Sequence, residues 1–103
     1  MTRFFIKWWV DSAKLPDTPQ EMMKLRAKLH EGVKAGMSAG MFTEWGHFGN
    51  GREGYAIADA SAEDIYATMS KYTPVVAYTV SPVLNVDQSI EATKKAAAAM
   101  QGQ

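Results

Sequence analysis

The side chains best suited to proton transfer or to holding an anionic oxygen are His47, Lys7 and Tyr78. Imidazole is the only side chain that titrates near neutrality without tuning, so His47 is the first candidate for a proton acceptor. Lys7 is a lone cation inside an aromatic run and could hold an anionic or carbonyl oxygen. Tyr78 offers a hydroxyl that could orient the same oxygen.

These candidates have structural interpretations as well. His47 could hydrogen-bond a loop carbonyl and pack on Trp45, and Lys7 at a sheet edge would only keep the strand soluble. Trp9, Trp45 and Tyr55 are candidate ligand-binding residues, because apolar walls with a few polar groups describe most ligand pockets. Aromatic residues in such strands nevertheless form cores and interfaces more often than they bind ligands.

Metal, thiol and phosphate chemistry are not indicated. The sequence contains no cysteine, and no metal-ligand spacing joins His30 to His47. The glycines of residues 46–54 connect one strand to another, whereas a phosphate loop opens a helix and carries a lysine. We therefore expect no metal and no cofactor, and we expect Arg52 and Glu53 to be solvent-facing turn residues.

The length and charge of the chain narrow its class. The chain of 103 residues suits one domain, and 11 basic residues balance 11 acidic ones. With a net charge of zero, neither nucleic acid nor an anionic membrane is an expected partner. No run has the length of a membrane helix or the form of a signal peptide, so a cytoplasmic protein is the default expectation.

The first half of the chain predicts a strand, a helix and a second strand. Residues 3–10 form a short aromatic and β-branched run typical of a strand. Thr18, Pro19 and Glu21 predict a helix start with a capping box. A buried stripe at helical spacing follows, with Gly36 as the expected terminator and Arg26 on the opposite side; the stripe is Met22, Leu25, Leu29, Val33.

The second half predicts a hairpin, a short helix, a strand and a tail. Strands at residues 40–48 and 55–60 should pair through a tight turn, since Asn-Gly accepts positive backbone angles. Ser61 caps a helix that ends before Pro74, and its buried stripe is Ile65, Met69, Tyr72. Residues 75–84 form a strand, with Pro82 near its exit, and residues 87–103 form an alanine-rich helical tail.

This order, β-α-β-β-α-β, predicts a ferredoxin-like α+β domain over residues 1–86: a four-stranded antiparallel sheet with two helices on one face. Alternation along the first strand sends Trp8 to one face and Trp9 to the other. Each large apolar side chain that stays in water contributes none of the about 1.5–3 kcal/mol of stability that its burial would provide. We therefore expect a second copy to cover the helix-free face.

Three stretches, "EWGHF", "GREGYAIADASAEDIYATMSKY" and "VVAYTVSPVLNV", resemble the dimeric α+β barrel superfamily, and more particularly the DUF3303 proteins of unknown function. Muconolactone isomerases and antibiotic-biosynthesis-type monooxygenases are more distantly similar. The resemblance runs from about residue 3 to residue 87. It implies a homodimer in which two sheets pack face to face, and it carries over no activity residue by residue.

Two functional hypotheses from different classes remain open. In the first, the sheets of the dimer enclose a small organic or aromatic molecule, and His47 accepts a proton in cofactor-free oxygenation or isomerisation while Lys7 or Tyr78 orients an anionic oxygen. In the second, the protein is a non-catalytic binding or assembly module. RNA binding is a weaker alternative. The stretch "EGYAIADA" resembles a strand of an RNA-recognition motif but lacks the basic and stacking residues with which that motif binds RNA.

Overall fold

The computed structural model describes residues 2–102. A short 3-10 helix at Ser12–Lys14 follows the first strand. The remaining elements are β1 Arg3–Val10, α1 Pro19–Ser38, β2 Phe42–His47, β3 Glu53–Asp59, α2 Ala62–Ser70, β4 Val76–Val83 and α3 Val86–Gln101.

The four strands form one antiparallel sheet in the order β2-β3-β1-β4. The two β-α-β units are interleaved, because β3 lies between β1 and β2 and β1 lies between β3 and β4. The predicted α+β class and the C-terminal helix are confirmed. Pro82 lies on β4, an edge strand, where a missing backbone donor costs least.

The hydrophobic core lies between the sheet and the helices α1 and α2. Residues opposite each other across the sheet share a face, so Phe4, Ile6 and Trp8 of β1 lie on the same face as Ala58 and Ala56 of β3. We call this the helix face. Its buried cluster is Phe4, Ile6, Phe42, Ala56, Ala58, Ala60, Ile65, Met69.

Polar caps start the helices where the sequence predicts them. The Thr18 hydroxyl accepts a hydrogen bond from the Glu21 backbone N–H at 3.2 Å, and Ser61 does the same for Asp64 at 3.2 Å. Each cap satisfies a donor that the first helical turn leaves without a partner.

The prediction that Gly36 ends the first helix is wrong, because α1 continues to Ser38. A Cβ on Gly36 would lie 2.6 Å from the Phe42 ring, so the glycine lets the helix approach β2 closely. The chain reverses instead at Gly40, whose φ is +82°.

The hairpin turn between β2 and β3 also differs from the predicted one, in which both Asn50 and Gly51 have positive backbone angles. Only Gly51 has a positive φ, of +72°, while Asn50 accepts a hydrogen bond from the Arg52 backbone N–H at 2.9 Å. That Asn side-chain bond stabilises a turn in which Asn50 keeps a negative φ, and residues 48–52 connect the two strands. As a result β3 begins at Glu53 rather than at residue 55.

A β-bulge interrupts the pairing of β2 with β3. Phe42 lies opposite Ala58 and Glu44 lies opposite Ile57, which leaves Thr43 as the extra residue. One extra residue inverts the alternation of side chains from that point onward. Trp45 and His47 therefore lie on the helix face together with Phe42.

The last helix, α3, extends away from the domain. It has no buried residue, and the molecule measures 63 × 27 × 24 Å along its principal axes. A capping box starts the helix, since Asn85 and Gln88 exchange two hydrogen bonds of 2.8 Å. No helix within residues 2–102 combines the length and apolar character that crossing a membrane requires.

Candidate functional site

A cavity of about 180 Å³ lies between α1 and the helix face of the sheet. Its roof is the predicted apolar stripe of α1, and its floor is formed by side chains of β1, β2 and β3. We call it the α1 cavity. Its lining includes Ile6, Trp8, Met22, Leu25, Arg26, Leu29, His30, Val33, Trp45, His47, Arg52 and Tyr72.

Two tryptophans and two histidines form the aromatic part of the wall. Trp8 and Trp45 are stacked, with ring centroids 5.5 Å apart and planes 10° from parallel. His30 from α1 and His47 from β2 both lie edge-on to Trp45, with centroids 6.0 Å and 5.8 Å away. The indole of Trp45 therefore connects the roof of the cavity with its floor.

Gly54 makes room for the stacked tryptophans. It lies opposite Trp8 on β1 and opposite His47 on β2. A Cβ at this position would overlap the Trp8 ring and the Gly46 carbonyl oxygen. The absence of a side chain lets the Trp8 indole lie across β3 and reach Trp45. The Nε1 of Trp8 is buried and has no hydrogen-bond partner within residues 2–102.

A backbone contact selects the tautomer of neutral His47. Its Nδ1 lies 2.9 Å from the Phe48 carbonyl oxygen, which can only accept a hydrogen bond. In the neutral ring Nδ1 therefore carries the proton, and Nε2 is the nitrogen with a free lone pair. The side chain contacts a loop carbonyl and Trp45, as its structural interpretation predicts, and it also lines the cavity.

Two arginines, Arg26 and Arg52, line the hairpin end of the cavity. Both are exposed, as predicted from the polar side of the helix and from the turn, but the sequence did not single them out as site residues. Arg26 extends from α1 to the turn, where a Cβ on Gly51 would lie 3.5 Å from its Nη1. Arg52 follows in that turn, and its backbone carbonyl accepts a hydrogen bond from Val10 at 2.8 Å. A signal was present in the spacing of Met22, Arg26 and His30, which recur every four residues beside the apolar stripe.

Tyr78 lies on the helix face but is not part of the cavity lining. It is opposite Trp8 on the edge strand β4 and packs against the hydrophobic core. Tyr72 lines the cavity instead, with its ring above Gly32 of α1. Burial raises the pKa of the Tyr72 hydroxyl, which favours its neutral form.

The other predicted site residues lie on the opposite side of the sheet, which we call the open face. Lys7 is opposite Tyr55 and exposed there, with Trp9 two residues further along β1. The structure thus brings together His47 and Trp45 and separates them from Lys7, Trp9 and Tyr55. The edge-strand interpretation of Lys7 does not apply, because β1 is an interior strand.

Tyr55 makes a specific polar contact on the open face. Its hydroxyl donates to Oε2 of Glu44 at 2.6 Å, and its ring stacks on Phe5 with centroids 6.3 Å apart. The ring passes over Gly46, where a Cβ would lie 2.8 Å from it. The hydrogen bond to Glu44 raises the pKa of the Tyr55 hydroxyl, and burial and the negative charge of Glu44 act in the same direction.

Residues 2–102 contain no group of three or more His, Asp or Glu side chains arranged to hold a metal ion. Comparison with curated proteins finds no match to the chain. A family model matches residues 2–97 and therefore nearly the whole chain, including every residue of the α1 cavity and of the open face. On that match the chain belongs to the family described as "Domain of unknown function (DUF3303)".

Proposed function

We propose that this protein binds a small organic molecule, about the size of one aromatic ring, in the α1 cavity. The supporting observation is a space of about 180 Å³ with apolar walls, two stacked indoles and a few polar side chains at one end. A dry cavity of about 150 Å³ in a protein core is sufficient to bind benzene. The cavity therefore has the volume and the lining of a small ligand site.

The packing of α1 supports the same proposal. The helix has 20 residues and an apolar stripe that faces the sheet, yet none of its residues is buried. Closely packed interiors leave few voids larger than a water molecule. A ligand in the cavity would remove apolar surface of Leu25, Leu29 and Val33 from water and complete the contact between helix and sheet.

Binding is tested by the melting temperature in the presence of single-ring phenols, quinones, lactones and carboxylates. A molecule that binds only the native state must raise the melting temperature. Leu29→Phe fills the cavity and should abolish the shift, whereas Met23→Phe on the exposed side of α1 should retain it. If no compound in the panel raises the melting temperature of the unmodified protein, the proposal is wrong.

A second candidate function is cofactor-free proton transfer of the isomerase or oxygenase type. The observation that favours it is the free Nε2 of His47, whose other nitrogen contacts the Phe48 carbonyl. An acidic C–H of a bound molecule would lose its proton to this nitrogen. Lys7 lies on the open face and Tyr78 outside the cavity lining, so neither assists in this arrangement.

The test is exchange of ligand hydrogen for deuterium in heavy water, followed by NMR on a compound found by the binding panel. Exchange that His47→Gln abolishes, while the ligand affinity remains, supports a proton acceptor at this position. If the ligand exchanges its hydrogen no faster with the unmodified protein than without it, the protein binds the ligand but does not catalyse proton transfer.

We further propose that the open face joins two copies of the chain. Phe5 is 39% exposed there beside the half-buried aromatic residues Trp9 and Tyr55. The face also carries both charge signs, with Lys7 near the middle and Glu44 near one edge. A two-fold interface pairs each patch with itself, so a face with both signs can match its own copy.

The oligomeric state is measured by sedimentation at micromolar concentration. We expect a dimer, with Phe5→Glu shifting it to a monomer by placing a carboxylate in the apolar interface. Tyr66→Glu is the matched control, since Tyr66 is 72% exposed on α2, away from the open face. A monomer for the unmodified protein would exclude this interface.

A further inference from the structure

The hairpin end of the α1 cavity carries positive charge without a matching negative one. Arg26 and Arg52 line this end, and the two imidazoles line the same cavity. No Asp or Glu is among the lining residues. Within residues 2–102 the ion pairs are Arg3 with Asp59 and Lys94 with Glu91, so neither guanidinium of the cavity is in one.

The two arginines come from separate elements, and both line this end of the cavity. Arg26 projects from α1 and reaches the hairpin turn beside Gly51, while Arg52 is part of that turn. The turn is held by the hydrogen bonds of Arg52 to Val10 and Asn50, at 2.8 Å and 2.9 Å. An anion bound between them would receive donors from both the roof and the floor of the cavity.

From this arrangement we infer that the ligand of the α1 cavity is a single-ring aromatic carboxylate, with its carboxylate held by Arg26 and Arg52 and its ring against Trp8 and Trp45. The inference rests on the proposed function and adds the charge and orientation of the ligand. The planar guanidinium fork matches a carboxylate with two parallel hydrogen bonds. Leu29, Val33 and the two indoles make much of the remaining wall apolar, which suits the aromatic ring of such a ligand.

Three probes of similar size and different charge test the inference: benzoate, neutral benzamide and cationic benzylamine. Their affinities are measured by calorimetry and by the fluorescence of the tryptophans. We expect benzoate to bind about tenfold or more tightly than benzamide, the factor typical of one charge-assisted hydrogen bond, and benzylamine to bind least.

Arginine variants locate the anion. Arg26→Gln and Arg52→Gln should each weaken benzoate binding about tenfold and leave benzamide binding unchanged. Arg26→Lys should weaken benzoate binding less than Arg26→Gln does, because lysine retains the positive charge and lacks only the planar guanidinium with its two parallel donors. Lys28→Gln is the matched control: it removes the same charge from an exposed position of α1 and should leave both affinities unchanged. Circular dichroism verifies that each variant is folded.

The outcomes separate this inference from the proposed function. If benzoate and benzamide bind equally well, the cavity binds ligands, but the assignment of an anion site to Arg26 and Arg52 is wrong. If benzoate binds more tightly and Lys28→Gln weakens it as much as the arginine variants do, general surface charge is responsible and the assignment to Arg26 and Arg52 is wrong. If none of the probes and no uncharged single-ring compound binds, the proposed function is itself wrong.

Discussion

At the scale of single residues, glycines determine which aromatic rings meet. Gly54 has no side chain to separate Trp8 from β2, and Gly46 leaves room for the Tyr55 ring on the opposite face of the sheet. Neither residue has a positive φ, so both are required for space and not for backbone conformation. A substitution at such a position disturbs the packing of the neighbouring aromatic rings without removing any side chain.

Gly54→Ala should destabilise the protein by about 1–3 kcal/mol, because the new methyl group would overlap the Trp8 ring and the Gly46 carbonyl. Urea unfolding measures the change. Gly49→Ala is the matched control, since nothing lies within 4 Å of its Cβ position, and it should change stability by less than about 0.5 kcal/mol. Equal effects of the two substitutions would contradict this account of Gly54.

The hydrogen bond from Tyr55 to Glu44 predicts a pH dependence at alkaline pH. The pKa of Tyr55 is raised above the ordinary tyrosine value of about 10, so the folded state retains the proton to higher pH than the unfolded state does. The stabilisation from this bond is fully present below pH 10 and is lost as the pH rises through the folded-state pKa.

The measurement compares the free energy of unfolding of the unmodified protein with that of Tyr55→Phe across this range. The difference should be constant below about pH 10 and decrease above it. Glu44→Gln, which retains an acceptor without the charge, should show a smaller decrease. A difference that stays constant at alkaline pH would show that the bond does not form.

At the scale of elements, α1 is the least firmly packed of the helices that contact the sheet. The short α2 buries Ile65 and Met69, whereas the long α1 buries no side chain. Elements with few buried apolar contacts open at lower free energy. If the proposed ligand enters the cavity, we therefore expect α1 to be the element that moves to admit it.

Hydrogen exchange tests this expectation. Amides in the middle of α1 should exchange faster than those of the interior strands β1 and β3, and a saturating cavity ligand should slow them. Amides of α3, which does not line the cavity, should exchange at the same rate with and without ligand. A ligand that protects α3 as strongly as α1 would place its site elsewhere.

At the scale of the whole molecule, the last helix, α3, buries none of its residues against the rest of the domain. The radius of gyration is 17.6 Å, whereas a compact chain of this length has about 13 Å. The excess comes from α3, whose exposed apolar residues include Ile90 and Met100. None of the residues of the buried cluster or of the α1 cavity lies on this helix.

Removal of residues 86–103 should therefore lower the melting temperature by less than about 4 °C, the shift that 1 kcal/mol causes in a domain of this size. Differential scanning calorimetry measures it, and the benzoate affinity provides a second readout that should not change. A large loss of stability would show that α3 packs on the domain or on a second copy.

Much of this architecture is determined by the sequence itself. The caps at Thr18 and Ser61, the stripe of α1 and the alternation along β1 are local patterns, because a helix or strand repeats its geometry every few residues. The order of the elements, together with the handedness of their connections, then leaves few sheets that can form. The α+β class follows from these patterns, whereas the family was indicated by the resemblance of three stretches of the sequence and is shown by the family-model match.

Which side chains meet was decided only by the tertiary structure. The bulge at Thr43 turns Trp45 and His47 to the helix face, and no local signal distinguishes it from regular alternation. Arg26 and Arg52 belong to a helix and a turn that are distant in sequence, so only packing brings them to one end of the cavity. A single extra residue in one strand thus separated His47 from Lys7, because the side-chain period of a strand is two and any insertion inverts the faces.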